Sequence, residues 1–490
     1  MFGGTTMNLN ELLTNVDVIH HRNLDDINVD FITDDSREVK PGSMFVAVRG
    51  YEHDGHVYID EAIQNGASVI VGEKDLELLV PYVQVRNSKK ALGQILCQYY
   101  KQPSACKKVI GVTGTNGKTT TSYMLKAIFE QNNYSVGIIG TIEYFINGES
   151  RPSQNTTPGT AMLQKLLYES VDDVIIIEIS SHALKQCRVE GVQLDAAIFT
   201  NLDSEHLDYH KSMTEYFESK FKIFDLLKPH GYALVNRDDE WGEKAYHLLR
   251  EKGTHVYTVG TSSKADAQIH RQDTSVTLKA INTNVLLNLK MPGIHNRFNA
   301  AFSLMVGELF DLELSETVDA LNHVEKVKGR FEVVNFPGNI TVVVDYAHTP
   351  KGFYHCLNTV RESGANRIIH VFGFRGSRYS TKREVMMNES LKVSDYYILT
   401  FDDLNGSTEE EMRQILKYFH DHHGSSKGEV IPDRTIAIER AIKLANDGDW
   451  IIITGKGHEQ YKGNFALGTK TDLETVETLM NRARQITRLS

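Results

Sequence analysis

Lys118 and Thr119 stand at the end of a glycine turn, Gly114-Thr115-Asn116-Gly117. A short apolar run, Val109 to Val112, precedes the turn, and a helical pattern runs from Thr119 to Gln131. Strand, glycine loop and helix start together make an anion site. Backbone N–H groups converge on a phosphate, the helix dipole favours its charge, and the lysine adds a point charge. A threonine after the lysine is placed to put its hydroxyl on a magnesium ion. The chemistry implied is the holding of a nucleoside triphosphate. The Walker A pattern asks for glycine at position 112, where this chain has valine, with glycines at 111 and 114 instead.

Glu178 closes a second apolar run, Ile175-Ile176-Ile177, and leads into Ile179-Ser180-Ser181-His182. A carboxylate there is costly to bury unless it is paired or metal-bound. It is a candidate magnesium ligand opposite the phosphate loop, with a surface glutamate at a strand end as the plain alternative. A third group, Thr200 to His210, packs Asn201, Asp203, Glu205, His206, Asp208 and His210 into one loop. Such oxygen and imidazole donors suit Mg²⁺ or Mn²⁺. Lys220 follows on a helical pattern and alone reads as a surface lysine.

These residues need elements to hold them. Strand-like runs alternate with helical ones along all 490 residues. Met44 to Val48, Ser68 to Val71 and Val83 to Val85 precede Gln102-Pro103-Ser104. Ser135 to Gly140, Asp173 to Ile179, Ala196 to Thr200 and Tyr232 to Asn236 follow it. Beyond Val327-Lys328-Gly329-Arg330 come Ile340 to Asp345, Arg367 to Phe372, Asp395 to Leu399 and Trp450 to Ile453. The alternation predicts an α/β fold of three domains, 1–103, 104–328 and 329–490. The central one is a P-loop-type, mostly parallel sheet with helices on both faces, flanked by a smaller α/β unit and a Rossmann-like α/β unit. Ligands are expected at the carboxyl ends of the strands.

The net charge of −11 argues against nucleic acid as the main partner. The four cysteines, Cys97, Cys106, Cys187 and Cys356, form no C-x-x-C pair, and no apolar run reaches membrane-spanning length. Met1 to Thr6 lacks the apolar region of a signal peptide, so a cytoplasmic protein without a membrane partner is expected.

Taken together, the motifs resemble those of the Mur ligases, ATP-dependent amide-forming enzymes of peptidoglycan precursor synthesis. The carriers are Thr113 to Thr120, Asn155-Thr156-Thr157-Pro158, Glu178-x-Ser180-Ser181-His182 and Asn201-Leu202-Asp203-x-x-His206. Gly293-x-x-Asn296-x-x-Asn299, Gly329-Arg330-Phe331, Asp345 to Pro350 and Gly455-Lys456-Gly457-His458-Glu459 continue the series. The family's own glycine loop departs from Walker A in the same way. Asp35-Ser36-Arg37, Gly50 to His56 and Ser180 to Arg188 look like the branch that adds the third amino acid to UDP-N-acetylmuramoyl-L-alanyl-D-glutamate.

The resemblance implies that ATP phosphorylates the substrate's glutamate carboxylate and that an amine then displaces the phosphate. By this likeness Gly114, Thr115, Asn116, Gly117, Lys118, Thr119, Thr120, Asn296, Asn299, Arg330 and Asp345 bind ATP. Thr119 and Glu178 hold one Mg²⁺. His206 helps hold a second, with Lys220 as the lysine that the family carbamylates. Lys118, His206 and Lys220 are the candidate catalytic residues. Ser36, Tyr51, Glu52 and His53 belong to the uridine end of the acceptor, and Asn155, Thr156, Thr157, Ser180, Gln186 and Arg188 to its muramoyl-peptide. The first domain would bind the UDP end, the second ATP, and the third the incoming amino acid. Two plain alternatives concern the ATP residues: Asn299 starts the helix Ala300 to Leu309, and Asp345 caps a turn.

For the amino acid, the resemblance implies Arg383, Asp402, Asp403, Asn405, Gly455 and Glu459. Diaminopimelate-adding branches carry Asp-Asn-Pro-Arg where this chain has Asp402-Asp403-Leu404-Asn405, so the arginine for the distal carboxylate is missing. A carboxylate pair suits an ammonium-ended side chain, and the expected amine is lysine-like. The preceding segment departs more: Arg375 replaces a glycine, and Ser377 and Tyr379 replace two acidic residues. That change keeps open a Mur-like ligase of a side pathway with another amine or acceptor. A non-catalytic nucleotide-binding protein would have lost Lys118, Glu178, His206 or Lys220, and none is lost. A simple P-loop kinase would not need Gly455 to Glu459.

Overall fold

The computed structural model describes residues 6–22, 27–50, 53–376 and 381–489, so Tyr51, Glu52, Ser377 and Tyr379 lie outside the described residues. The three larger sheets each arise from one stretch of chain. The first has five strands between Val18 and Val85, with the helix Ser88–Tyr99 packed against them.

The second stretch opens with β1 (Lys108–Thr113) and α1 (Lys118–Gln131), then β2 (Val136–Ile139), β3 (Val174–Glu178), β4 (Leu194–Phe199), α2 (Met213–Phe221), β5 (Leu227–Asn236) and α3 (Ile294–Leu309). The central strands run parallel in the order β2-β3-β1-β4-β5. Val174 to Ile177 have no exposed surface, as befits a parallel strand covered on both faces. Met124, Leu125 and Ile128 of α1 pack with Ala300 and Leu304 of α3 on one face, while Tyr216 and Phe217 of α2 pack on the other. Register brings the chemistry together. Glu178 pairs with Val112 and Phe199 with Thr113, so the phosphate loop, Glu178 and the Thr200 loop leave the sheet at one edge.

Two features exceed the sequence reading. A hairpin, Glu143–Ile146 with Glu149–Pro152, turns at Asn147-Gly148, where both φ angles are positive. That dipeptide is the signature of a tight type I′ turn. At the other edge, Val256–Gly260 and Ala267–Ile269 continue the parallel order, and Ser275–Leu278 and Thr283–Leu286 add antiparallel pairs, extending the sheet to eleven.

The third stretch holds β6 (Ile340–Asp345), α4 (Pro350–Glu362), β7 (Ile368–Phe372), α5 (Lys382–Val393), β8 (Tyr396–Leu399), α6 (Glu409–His423) and β9 (Trp450–Thr454). The order β6-β9-β7-β8 is parallel, with an antiparallel edge strand, Glu332–Phe336, beside β6. The whole is α/β, with helices covering mostly parallel sheets. Among the described residues no helix is long and apolar enough to cross a membrane.

Candidate active site

The phosphate loop is held by its neighbours on the sheet. Gly114 has φ +144°, and a Cβ there would stand 1.9 Å from Thr200 Oγ1. Gly117 has φ +88°, and its Cβ would stand 2.6 Å from Asn299 Oδ1. Both positions therefore demand glycine. Thr200 Oγ1 and Asn201 Nδ2 donate to Asn116 O at 2.6 and 3.0 Å, and Asn116 N donates to Asn201 Oδ1 at 3.0 Å.

Lys118 Nζ donates to Gly114 O at 2.8 Å and to Thr115 O at 3.0 Å. Lys220 reaches the same Gly114 O at 2.8 Å and lies over the Tyr216 ring. It is buried, not the surface lysine of the plain reading. Burial depresses the pKa of both ammonium groups, and for Lys220, pushed well below the ordinary lysine value, the neighbouring Lys118 charge adds to it.

Glu178 is fully buried, which removes the surface alternative. Its Oε2 accepts from Thr119 Oγ1 at 2.8 Å and from Thr141 Oγ1 at 2.9 Å, and Oε1 accepts from Thr141 N at 3.0 Å. Arg330 Nη2 crosses from the third stretch to donate to Thr119 Oγ1 at 3.0 Å. The Thr119–Glu178 oxygen pair fits a hard cation such as Mg²⁺. Among the described residues no three His, Cys, Asp or Glu side chains form a complete cage. His206 begins a short helical turn with φ +57° and packs edge-on to His182 at 4.8 Å. Burial pushes its pKa down to about 3, leaving the imidazole neutral and able to ligate.

Lys118, Thr119, Thr141, His206, Lys220 and Arg330 line a cleft of 1640 Å³, with Glu178 behind Thr119 and Thr141. Asn155, Thr156, Thr157, Ser180 and Arg188 form one wall. Gln186 stands behind it, accepting from Arg188 Nε at 2.9 Å and Nη2 at 2.6 Å and donating to Tyr209 OH at 3.0 Å. Asn296 and Asn299 line another side, both buried on α3 and joined at 3.2 Å. Asn299 is interior to α3, which begins at Ile294, so it does not start a helix. Asp345 also reaches the cleft. Its two oxygens accept from Ala347 N at 2.6 Å and Phe331 N at 2.7 Å, so the turn-capping alternative describes its present partners. Ser36 does not reach the cleft; its hydroxyl donates to Glu61 Oε2 at 2.6 Å. His53 is exposed and also outside it.

The amine corner differs from expectation. Asp402 and Asp403 are not free to meet an ammonium group. Lys456 Nζ lies 2.6 Å and Lys462 Nζ 3.1 Å from Asp403, and Arg375 Nε lies 3.8 Å from Asp402. Asn405 Oδ1 accepts a long bond from Lys462 at 3.5 Å. Arg375 Nη2 donates to Glu459 Oε2 at 2.8 Å and to Gly455 O at 3.1 Å. Arg383 donates to Arg375 O at 3.0 Å. Burial would raise the Asp402 carboxyl, but Arg375, Arg434 and Lys456 outweigh it and hold it below the usual range. The Asp403–Lys456, Asp403–Lys462 and Arg375–Glu459 pairs join residues more than fifty positions apart, so no spacing announces them. Glu205, one of the loop's oxygen donors, has partners that no spacing announces either. It accepts from His348 Nε2 at 2.6 Å across the cleft, beside Lys382 Nζ at 3.7 Å.

Comparison with known proteins accounts for nearly the whole chain. Residues 28–100 match the model of the Mur ligase family catalytic domain, 112–307 the Mur ligase middle domain, and 329–457 the Mur ligase glutamate ligase domain. The UDP-N-acetylmuramoyl-L-alanyl-D-glutamate–2,6-diaminopimelate ligase of Clostridium botulinum is 40% identical over 87% of this chain and 90% of its own. The enzyme of that name from Alkaliphilus oremlandii is 38% identical over 93% and 94%. A solved structure of a ligase with that name superposes with a TM-score of 0.70 at 25% identity, covering 98% of this chain and 100% of the other. MurF ligase from Thermotoga maritima in complex with ADP shares the fold, with a TM-score of 0.60 at 20% identity over 86% and 93%.

Proposed function

The chain belongs to the Mur ligase family of ATP-dependent, ADP-forming ligases, and from that premise we propose its reaction. It joins an amino acid to the D-glutamate of UDP-MurNAc-L-Ala-D-Glu through an acyl phosphate, as a MurE-type enzyme of peptidoglycan precursor synthesis. One observation carries this reading. Lys118 and Lys220 meet on Gly114 O beside the Thr119–Glu178 pair, facing Thr157, Ser180 and Arg188 across one cleft.

Phosphoryl transfer is chiefly positioning and charge stabilisation. The loop N–H groups and Lys118 hold the phosphates, while Arg330 reaches the transferring end from the third stretch. Asn296 and Asn299 offer amide groups to adenine. Thr119 and Glu178 would hold Mg²⁺, which neutralises charge on the transferring phosphoryl group when bound. His206 and a carbamylated Lys220 would serve a second ion. The depressed pKa of Lys220 favours the neutral amine, the form that bonds CO₂ and releases a proton to become a carbamate. Arg188 and Thr157 fix the acceptor so that its carboxylate oxygen attacks the γ-phosphorus and ADP departs. The incoming amine, in its neutral form, then attacks the acyl carbon, phosphate leaves with its bridging oxygen, and the nitrogen gives up one proton to solvent or to the departing phosphate. Arg383, to which the resemblance gives the amino acid's α-carboxylate, lines only the small void behind Arg375 and does not reach the cleft. We place the enzyme in the cytoplasm, where ATP, the nucleotide-linked acceptor and reduced thiols coexist.

Phosphate release from ATP with UDP-MurNAc-L-Ala-D-Glu and a panel of amino acids tests the proposal. At least one amine should support turnover, and Lys118→Ala should lower it by roughly 1,000-fold. Silence with every amine overturns the acceptor assignment. The paired carboxylates of the amine corner favour an amine other than a lysine-like one.

A further inference from the structure

Arg375 behaves as a ligand of its own pocket. Its guanidinium lies 5.3 Å from the Tyr346 ring centroid, donates to Glu459 and Gly455 O, and faces Asp402. An aromatic face, two carboxylates and a carbonyl are the surroundings that receive an alkylammonium or guanidinium ligand. Here the chain's own side chain fills them, with only 15% of it exposed. The remaining carboxylate, Asp403, is matched by Lys456 and Lys462.

Space agrees with charge. Arg375 and Lys382 line both the main cleft and a separate void that touches Arg383 and Asp402. That void measures 10 Å³, room for about one water. The two side chains thus wall off the inner end of the corner. An amino acid with a long cationic arm would have to displace Arg375 from Glu459 and Asp402 and leave buried charges unmatched, a costly exchange.

We propose that Arg375 takes the place of a cationic substrate arm, so that this ligase selects α-amino acids with a short, uncharged side chain. The inference rests on the reaction proposed above and makes Arg375 its specificity-determining residue.

Wild type and Arg375→Gly are compared in phosphate release and in calorimetric binding of free amino acids. Wild type should use glycine, alanine or serine with kcat/KM roughly 100-fold above lysine, ornithine or 2,6-diaminopimelate. Arg375→Gly should raise kcat/KM for at least one long-armed amine about ten-fold with an unchanged KM for ATP. A wild-type preference for a long-armed amine overturns the inference. Calorimetry keeps two failures apart. If no amine turns over with the muramoyl acceptor, the proposed reaction fails; lysine binding about ten-fold tighter to Arg375→Gly than to wild type still upholds the plug, and equal binding overturns it. Should Arg375→Gly not fold, Arg375→Ser opens the same space and carries the same expectations.

Discussion

Lys118 and Lys220 share the carbonyl of Gly114, so two buried cations press on one acceptor. Such a pair is relieved when one amine gives up its proton, and Lys220, the more depressed, is the one to do so. Lys220→Ala should lose most activity and regain part of it with added acetate or formate. Wild type in ¹³C-bicarbonate should show a carbamate resonance that the variant lacks, and full activity of the variant would remove the carbamate. His370 offers a stability test. It is buried between Ser390 Oγ at 2.8 Å and Thr454 Oγ1 at 2.9 Å, and burial lowers its pKa from 6.5 to about 3. The folded ring stays neutral while the unfolded one gains a proton as pH falls through 6.5. Its contribution is therefore complete above pH 6.5 and lost progressively between 6.5 and 3. On urea unfolding, wild type should lose about 2 kcal/mol more than His370→Gln between pH 7 and pH 5. Parallel pH profiles would refute the assignment.

Among the elements, α6 carries a full capping box: Thr408 Oγ1 accepts from Glu411 N, and Glu411 Oε2 accepts from Thr408 N. Thr408→Ala should cost about 1 kcal/mol of stability, measured by thermal or denaturant unfolding; no change would mean that packing at Met412 and Leu416 alone holds the helix. The parallel strands were readable from residue order because strands covered on both faces are unbroken apolar runs. The antiparallel additions were not, except that Asn147-Gly148 carried an unread signal. Thr283–Leu286, with one buried residue in four, has almost no pattern to read. The site divides in the same way. Lys118, Thr119 and Glu178 are legible because loop, helix start and strand end are neighbours in a βα unit. The amine corner is not, since Asp402 and Asp403 read as free carboxylates until the fold brings up Arg375, Lys456 and Lys462. Ser36 and His53 are legible as motif residues, yet the fold leaves them off the cleft.

Across the whole molecule, the cleft closes by contacts between the second and third stretches. Glu205 is central among them. Burial would raise its pKa, but His348, His206 and Lys382 prevail and hold it well below the usual carboxylate range. Lys351 N donates to Asp203 Oδ2 at 3.2 Å, and its Nζ donates to Leu202 O at 3.1 Å. Glu205→Gln would leave His348 and Lys382 without their shared anion. Amide hydrogen exchange over residues 345–352 should quicken and kcat fall about ten-fold; unchanged exchange would mean that other contacts hold the two stretches together. The glycine loop has a consequence for heredity. On the activating side of the cleft the loop backbone is pinned at Gly114, where a single methyl would collide with Thr200. At the amine corner the difference is a side chain, and a single base change separates a glycine codon from an arginine codon at position 375. On the specificity proposed for Arg375, descendants of such a gene would change the amine they join in a single step, while the glycine loop has almost no neighbouring sequence to drift into.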